Sequence, residues 1–181
     1  MLRAALAVVI SAAVFGMGGC TGDREVVQEE PAFYQSMANG GAKLDAATAA
    51  SMISGYRQNN GLGAVEVDPV LMRAAEAQAQ AMAARNKMDH EVAGTLPKRL
   101  KAAGYDARAA VENISAGYHT LAEAFSGWRD SPPHRANMLN ANVTKMGIAA
   151  SYAPNTKYKV FWALILAAPD GAKVAAETRA R

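Results

Sequence analysis

In the middle of the chain, apolar positions recur every three to four residues, which is the spacing of amphipathic helices. A first helix is predicted over 46–59, where an Asn-Asn-Gly sequence ends it. Asp68 and Pro69 predict the start of a second helix, because Asp is a good N-cap and Pro is favoured in the first turn. A short third helix is predicted over 96–103, and a capping box at 120–123 predicts a fourth.

The later part of the chain alternates with a period of two, which is typical of strands. One strand is predicted over 145–152, and a shorter one at 111–115. The segment 158–168 is apolar on both faces, and such a strand must be covered on both faces. Helices followed by a hairpin therefore predict an α+β fold, a three-layer α-β-α sandwich with a small central antiparallel sheet.

The two ends of the chain differ from this body. Residues 1–19 carry a single charge, Arg3, ahead of an apolar run that is short for a membrane span of about 20 residues. This pattern is typical of an export signal. Residues 20–45 are rich in Gly, Asp, Glu and Gln and predict a flexible tether, and residues 170–181 predict a disordered tail. A single domain at 46–169 remains.

Cys20 is the only cysteine, and it directly follows small residues at the end of the apolar run. This arrangement resembles a bacterial lipoprotein signal, in which the thiol receives a diacylglyceryl group and becomes the new N-terminus. We predict membrane attachment through lipid on Cys20, with a cleaved soluble form and an uncleaved anchor as alternatives. An intramolecular disulfide is excluded because no second cysteine is present. Thr21, where many inner-membrane lipoproteins have Asp, favours the outer membrane.

The charge distribution narrows the classes of partner. The formal net charge is +3, and no block of Lys and Arg is long enough to grip nucleic acid, so no nucleic-acid partner is predicted. The densest basic run is Lys98, Arg99 and Lys101, which indicates a solvated helix face. No oligomeric state follows from the sequence.

Candidate chemistry rests on histidines and one acid. His90 follows the second helix, His134 follows the fourth, and Glu112 lies among apolar residues of the short predicted strand. Two imidazoles and a carboxylate from separate segments could ligate a metal such as zinc, act as acid and base, or form a structural hydrogen-bonded cluster. No HExxH, GxSxG or P-loop motif is present. The third histidine, His119, is expected to face solvent.

Several blocks of sequence resemble the CAP superfamily, also called SCP, which includes cysteine-rich secretory proteins, insect venom antigens and plant pathogenesis-related proteins. The resemblance covers about residues 48–167, takes the form seen in bacterial exported proteins and implies the α-β-α sandwich. The blocks are Asp68-Pro-Val-Leu71, Lys98-Arg-Leu-Lys-Ala-Ala-Gly-Tyr105, Val111-Glu-Asn-Ile114 and Trp128-Arg-Asp-Ser-Pro-Pro-His-Arg-Ala-Asn-Met-Leu-Asn140.

The resemblance also implies a central cleft, in which family members gather two His and two acidic residues and several bind zinc or another divalent ion. His90, Glu112 and His134 match three of these positions. The fourth is a Glu after the Trp in animal members, whereas this chain has Ser131 at that point, with Asp130 as the candidate substitute. We therefore predict His90 and His134 as metal ligands, and Glu112 and Ser131 as cleft-lining residues.

The predicted function is a membrane-tethered, extracytoplasmic binding module for a lipid, envelope or protein ligand, with a divalent metal as a candidate cofactor. No nucleophile with an adjacent base and a third orienting group is recognisable, which favours a non-enzymatic role. One alternative is a peptidase-like, metal-assisted hydrolase in which His90 and His134 hold the metal and Glu112 is the base. Another is a structural envelope protein with a vestigial cleft.

Overall fold

The computed structural model describes residues 30–171. The predicted export signal, Cys20 and nearly all of the predicted tail therefore lie outside the described residues. Within them the elements, in chain order, are a short 3₁₀ helix (Ala32–Tyr34), α1 (Ala46–Asn59), β1 (Glu66–Val67), α2 (Pro69–Arg85), α3 (Leu96–Ala102), β2 (Ala107–Ala116), α4 (Leu121–Asp130), α5 (Pro132–Met138), β3 (Lys145–Ala153) and β4 (Lys159–Pro169).

The strands form one sheet in the order β1-β3-β4-β2. β4 pairs antiparallel with β3 on one side and with β2 on the other. The two-residue β1 pairs parallel with β3, so the sheet is mixed rather than wholly antiparallel. β2 lies at the edge of the sheet and runs from residue 107, four residues before the predicted start.

β4 separates two apolar clusters, one on each face. Its even-numbered side chains face a cluster that includes Ile53 of α1 and Leu121 of α4. Its odd-numbered side chains face Leu71 of α2 and Leu100 of α3. Each buried side chain of this size contributes about 1.5–3 kcal/mol of transfer free energy. The predicted α-β-α sandwich is confirmed. The sheet is its middle layer, and β4 is a strand of that sheet with side chains buried in both apolar clusters.

The N-terminal caps of α1, α2 and α4 are formed by polar side chains. Asp45 and Asp68 accept backbone N–H bonds at the starts of α1 and α2. Thr120 and Glu123 form the predicted capping box of α4. The pattern did not predict α5, which begins with two prolines directly after α4. Proline is tolerated in a first helical turn because the N–H groups there have no partner within the helix.

The described part of the predicted tether packs against the body. Met37 is 4% exposed, and Phe33 and Leu44 contact the cluster beneath α1 and α4. The backbone N–H of Met37 donates to the carbonyl of His119 at 2.7 Å. These apolar side chains are widely spaced among polar ones, so composition concealed them. The ordered body therefore begins before residue 46.

Arg57 of α1 fastens the connection between α5 and β3. Its guanidinium is buried and donates to the backbone carbonyls of Gly63, Met138, Asn140 and Val143. Burial lowers the pKa of this group, although an arginine keeps its charge at any ordinary pH. One side chain thus fixes the C-terminal end of α5.

Gly147 of β3 lies directly beneath α2. A Cβ added there would lie 2.1 Å from the backbone carbon of Leu71, too close for any real contact. We expect Gly147→Ala to destabilise the fold by about 3 kcal/mol, the upper range for overpacking, because the backbone of α2 must move. Urea unfolding would measure this loss, with Gly63→Ala as control, since nothing lies within 4 Å of that position. Equal stability of the two variants would contradict this packing.

Candidate functional site

The predicted site residues converge at β2, the edge strand around which the two helical layers meet. His90 lies in the turn after α2, on one face of the sheet. Ser131 and His134 lie at the start of α5, on the other face. Glu112 lies on β2 itself. The edge of the sheet is where side chains of both layers can approach one another.

Glu112 is held from two directions. Its side chain is only 3% exposed, and its Oε2 lies 2.8 Å from the Nδ1 of His90. Its Oε1 accepts a hydrogen bond of 2.7 Å from the Nη2 of Arg99 on α3. Both carboxylate oxygens are therefore engaged within the protein. Glu112 orients its neighbours and does not present an unpaired carboxylate to the cleft.

Arg99 is the functional residue that the sequence concealed. The run around it indicated a solvated face, whereas Arg99 is 9% exposed. Its Nε donates to the carbonyl of Gly94 at 2.9 Å, which ties the turn after α2 to α3. The exposed neighbours Lys98 and Lys101 fit the expected pattern. The sequence does not show that one residue of a basic run is buried, because its partner Glu112 lies in a different segment of the chain.

The turn that carries His90 is fixed from beneath. Gln78 of α2 donates to the carbonyls of Asp89 and His90 at 2.9 and 3.2 Å. The imidazole of His90 is 55% exposed, and its Nδ1 faces the carboxylate of Glu112. In the tautomer whose Nδ1 donates to this carboxylate, Nε2 is the ring atom that can accept a ligand.

α5 is attached to β2 by two asparagines. Asn113 donates to the carbonyl of His134 at 3.0 Å. Asn137 donates to the carbonyl of Glu112 at 3.0 Å and to the side-chain oxygen of Asn113 at 2.9 Å. These contacts fix α5 against β2. Neither asparagine was predicted to position the site.

His134 is half-buried, and its Nδ1 lies 2.9 Å from the Oγ of Ser131. Burial lowers the pKa of the His134 imidazole, and the neighbouring His90 lowers it further. Burial therefore favours the neutral imidazole, which is the form that can bind a metal. The contact with Ser131 engages its Nδ1, so its Nε2 is the ring atom left for a ligand.

Two other candidates lie apart from this cluster. Asp130 is 67% exposed and pairs with Arg129 at 2.8 Å, which lowers the pKa of the Asp130 carboxyl. It does not replace the missing acidic residue of the cleft. His119 is exposed, as expected. Across residues 30–171, no group of three or more His, Cys, Asp or Glu side chains is arranged to hold a metal ion.

The residues present offer a metal two imidazole nitrogens and a supporting carboxylate. Neutral imidazole suits zinc and other divalent transition metals, and a carboxylate behind the histidine is the usual second layer of such sites. A complete protein ligand set would need three or four side chains. His90 and His134 alone would therefore leave a metal to take its remaining donors from water or a bound ligand.

The structure is an α-β-α sandwich with His90, Glu112 and His134 at one edge of its sheet. Comparison with known sequences gives the family. A sequence model of the cysteine-rich secretory protein family, CAP, matches residues 50–166. The chain belongs to this family.

Three bacterial proteins are similar to this chain. The chain is 35% identical to the uncharacterized protein YkwD of Bacillus subtilis over 94 residues, which are 51% of this chain and 37% of YkwD. An extracellular protein of Bacillus anthracis with an SCP domain has a similar structure, with a TM-score of 0.59 and 24% identity, over 67% of this chain and 39% of that one.

A third relative is an outer surface protein of Borrelia burgdorferi, with a TM-score of 0.62 and 20% identity, over 72% of this chain and all of that one. The two structural matches support the shared fold. This chain covers well under half the length of YkwD and of the Bacillus anthracis protein. In the part of this chain that the structure describes, no helix is long and apolar enough to cross a membrane.

The buried ion pair gives a direct test of the site. We expect Glu112→Gln to lower the free energy of unfolding by roughly 3 kcal/mol, because Arg99 would stay buried without its counter-charge. Urea unfolding measures the loss. Asp130→Asn is the matched control, since that carboxylate is exposed and its removal is expected to change little. A Glu112→Gln variant as stable as the control would show that the pair does not hold the site together.

Proposed function

We propose that this protein is an extracytoplasmic binding module, whose cleft holds its ligand between His90 and His134, with a divalent cation as the candidate cofactor. One observation carries the proposal. Each imidazole has its Nδ1 engaged by a neighbour, Glu112 or Ser131, while neither Nε2 has a protein partner among the described residues. Fixed rings with an available nitrogen are preorganised to bind.

The cation would contribute Lewis acidity and a bridge to the ligand. His90 and His134 would hold it, and Glu112 would keep His90 in the tautomer that can coordinate. The cluster also explains why the cation need not be structural. Arg99, Glu112, Asn113 and Asn137 already join the two layers through direct hydrogen bonds.

The arrangement favours binding over hydrolysis. A metal-assisted hydrolase would need Glu112 as its base, and both oxygens of that carboxylate are paired. Ser131 and His134 lie at a distance suited to a nucleophile and its base. The orienting group of a triad would have to bond the remaining nitrogen of His134, and the described residues supply none there.

The place of action is proposed to be outside the cytoplasm. The apolar segment over 1–19 supports export. The relatives described as an extracellular protein and an outer surface protein support the same location. Lipid on Cys20 would then hold the cleft at a membrane surface, and lipids, envelope components and proteins there are its candidate ligands. The alternative of an envelope protein with a vestigial cleft predicts no binding at all.

Zinc binding tests the cleft. We expect the untagged protein to bind zinc in isothermal titration calorimetry, with affinity lowered about tenfold or more by His90→Ala or by His134→Ala, which is at least roughly 1.4 kcal/mol per lost ligand. The exposed histidine supplies the matched control, His119→Ala, which should bind like the parent protein. Circular dichroism confirms folding of each variant. If the parent protein does not bind zinc, or if all variants bind it equally, the proposed metal site is wrong.

Lipid attachment is tested at Cys20. In the bacterial host we expect labelled palmitate on the protein and its recovery with membranes, because two or more acyl chains hold a protein stably at a bilayer. Cys20→Ser should abolish both signals, and Thr21→Ala beside it should abolish neither. Label that persists in Cys20→Ser would overturn the lipid assignment.

A further inference from the structure

A small cavity opens beside His134, at the edge of the sheet. Its volume is about 220 Å³, and it lies between β2, the start of α5 and the turn after α2. A water molecule has a share of about 30 Å³ in the liquid, so the cavity can admit a chemical group larger than a single water. The residues that line it are Met88, Ile114, Ser115, Ala116, Tyr118, Gly127, Trp128, Ser131 and His134.

Two buried donors on this lining lack partners. Trp128 is 1% exposed and Ser115 is 7% exposed. Neither the Nε1 of Trp128 nor the Oγ of Ser115 has a hydrogen-bond partner in the described structure. The other tryptophan, Trp162, donates its Nε1 to the carbonyl of Tyr118 at 2.8 Å. A buried polar group without a partner is costly, so an acceptor that reached these two donors beside the cavity would be stabilised by them.

The backbone of β2 adds to this surface. The carbonyl of Glu112 points away from β4, since it accepts from Asn137 on α5. Residues two apart along a strand direct their N–H and C=O groups to the same side. Ile114 therefore turns its amide and carbonyl toward the side on which α5 and the cavity lie. Ile114 can offer a ligand both a donor and an acceptor.

The lining carries no charge that would match an ion. It contains no Lys, Arg, Asp or Glu. Burial of a carboxylate without a cation is costly, whereas a neutral carbonyl oxygen can accept from both donors. Met88 and Ala116 give the remaining wall an apolar surface that suits a small alkyl group.

We propose that this cavity binds the neutral carbonyl of an amide group, with Trp128 and Ser115 as donors to its oxygen. The inference deepens the proposed binding function, and it rests on the cleft holding a ligand but not on a metal. A peptide bond and the acetamido group of an N-acetyl amino sugar share this chemistry. Both can occur at a cell envelope, so the experiment includes a probe for each.

The test is a ¹H–¹⁵N NMR titration of the processed chain from residue 20 onward, observed at the two tryptophan indole N–H signals. N-methylacetamide is the primary probe. We expect a saturable downfield shift of the Trp128 indole signal, with a dissociation constant in roughly the millimolar range for so small a ligand. The Trp162 signal is the internal control, because that indole already has its carbonyl partner.

A side-chain variant tests the second donor. Ser115→Ala should weaken N-methylacetamide binding about two- to tenfold, the range expected for one hydrogen bond. Ser151→Ala, on β3 and away from the cavity lining, should leave it unchanged. Acetate should bind more weakly than N-methylacetamide, since it is a charged acceptor of similar size.

Further titrations compare N-acetylglucosamine, which represents the amino sugar, with N-acetylalanine methylamide, which represents the peptide bond. The probe that binds more tightly identifies the source of the amide. The proposal is wrong if no amide shifts the Trp128 signal, if acetate binds as well, or if Ser115→Ala has no effect. It is also wrong if a retained water already bonds the Trp128 indole. If His90→Ala loses zinc binding but still binds N-methylacetamide, the amide site and the metal site are independent. The amide proposal and the metal proposal can then be rejected separately.

Discussion

The burial of β4 on both faces is the constraint on which this structure depends. Its alternating side chains must lie against two separate apolar layers, α1 with α4 on one face and α2 with α3 on the other. The layers cannot touch through the sheet, so their side chains meet only where the sheet ends. The site at β2 is therefore a consequence of the core. Glu112 directs its carboxylate toward His90 and Arg99 of one layer, and its backbone carbonyl accepts from Asn137 of the other.

Much of this architecture could be predicted from periodicity, because helix caps, three-to-four spacing and a strand apolar on both faces are local signals. What escaped prediction depends on distant contacts. α5 begins with two prolines and is only seven residues long, and Met37 is one apolar residue in a polar segment. β1 is a strand only because its two residues pair with β3. No local pattern encodes such contacts.

The site shows the same division. His90, Glu112 and His134 could be named together from the family resemblance, and they do lie at one sheet edge. A structural hydrogen-bonded cluster was one of the predicted roles of Glu112. Its partner Arg99 could not be predicted, because Arg99 lies on a helix and its neighbours are exposed. The unpartnered donors of Trp128 and Ser115 were equally invisible, because a missing hydrogen bond is a property of three-dimensional packing. Sequence identified the chemical groups, and only the fold shows which of them are already occupied.

The two ends of α5 respond differently to acid. Arg57 holds the C-terminal end through carbonyls, and its charge does not change at any pH the protein meets. The N-terminal end carries His134, whose pKa is lowered in the fold. His134 in the unfolded chain therefore binds a proton more readily than in the fold. The stability that neutral His134 contributes is lost as the pH falls through and below the ordinary pKa of histidine. Acid should therefore lower the stability of the fold through His134, while the contacts that Arg57 makes at the other end of α5 keep their charge.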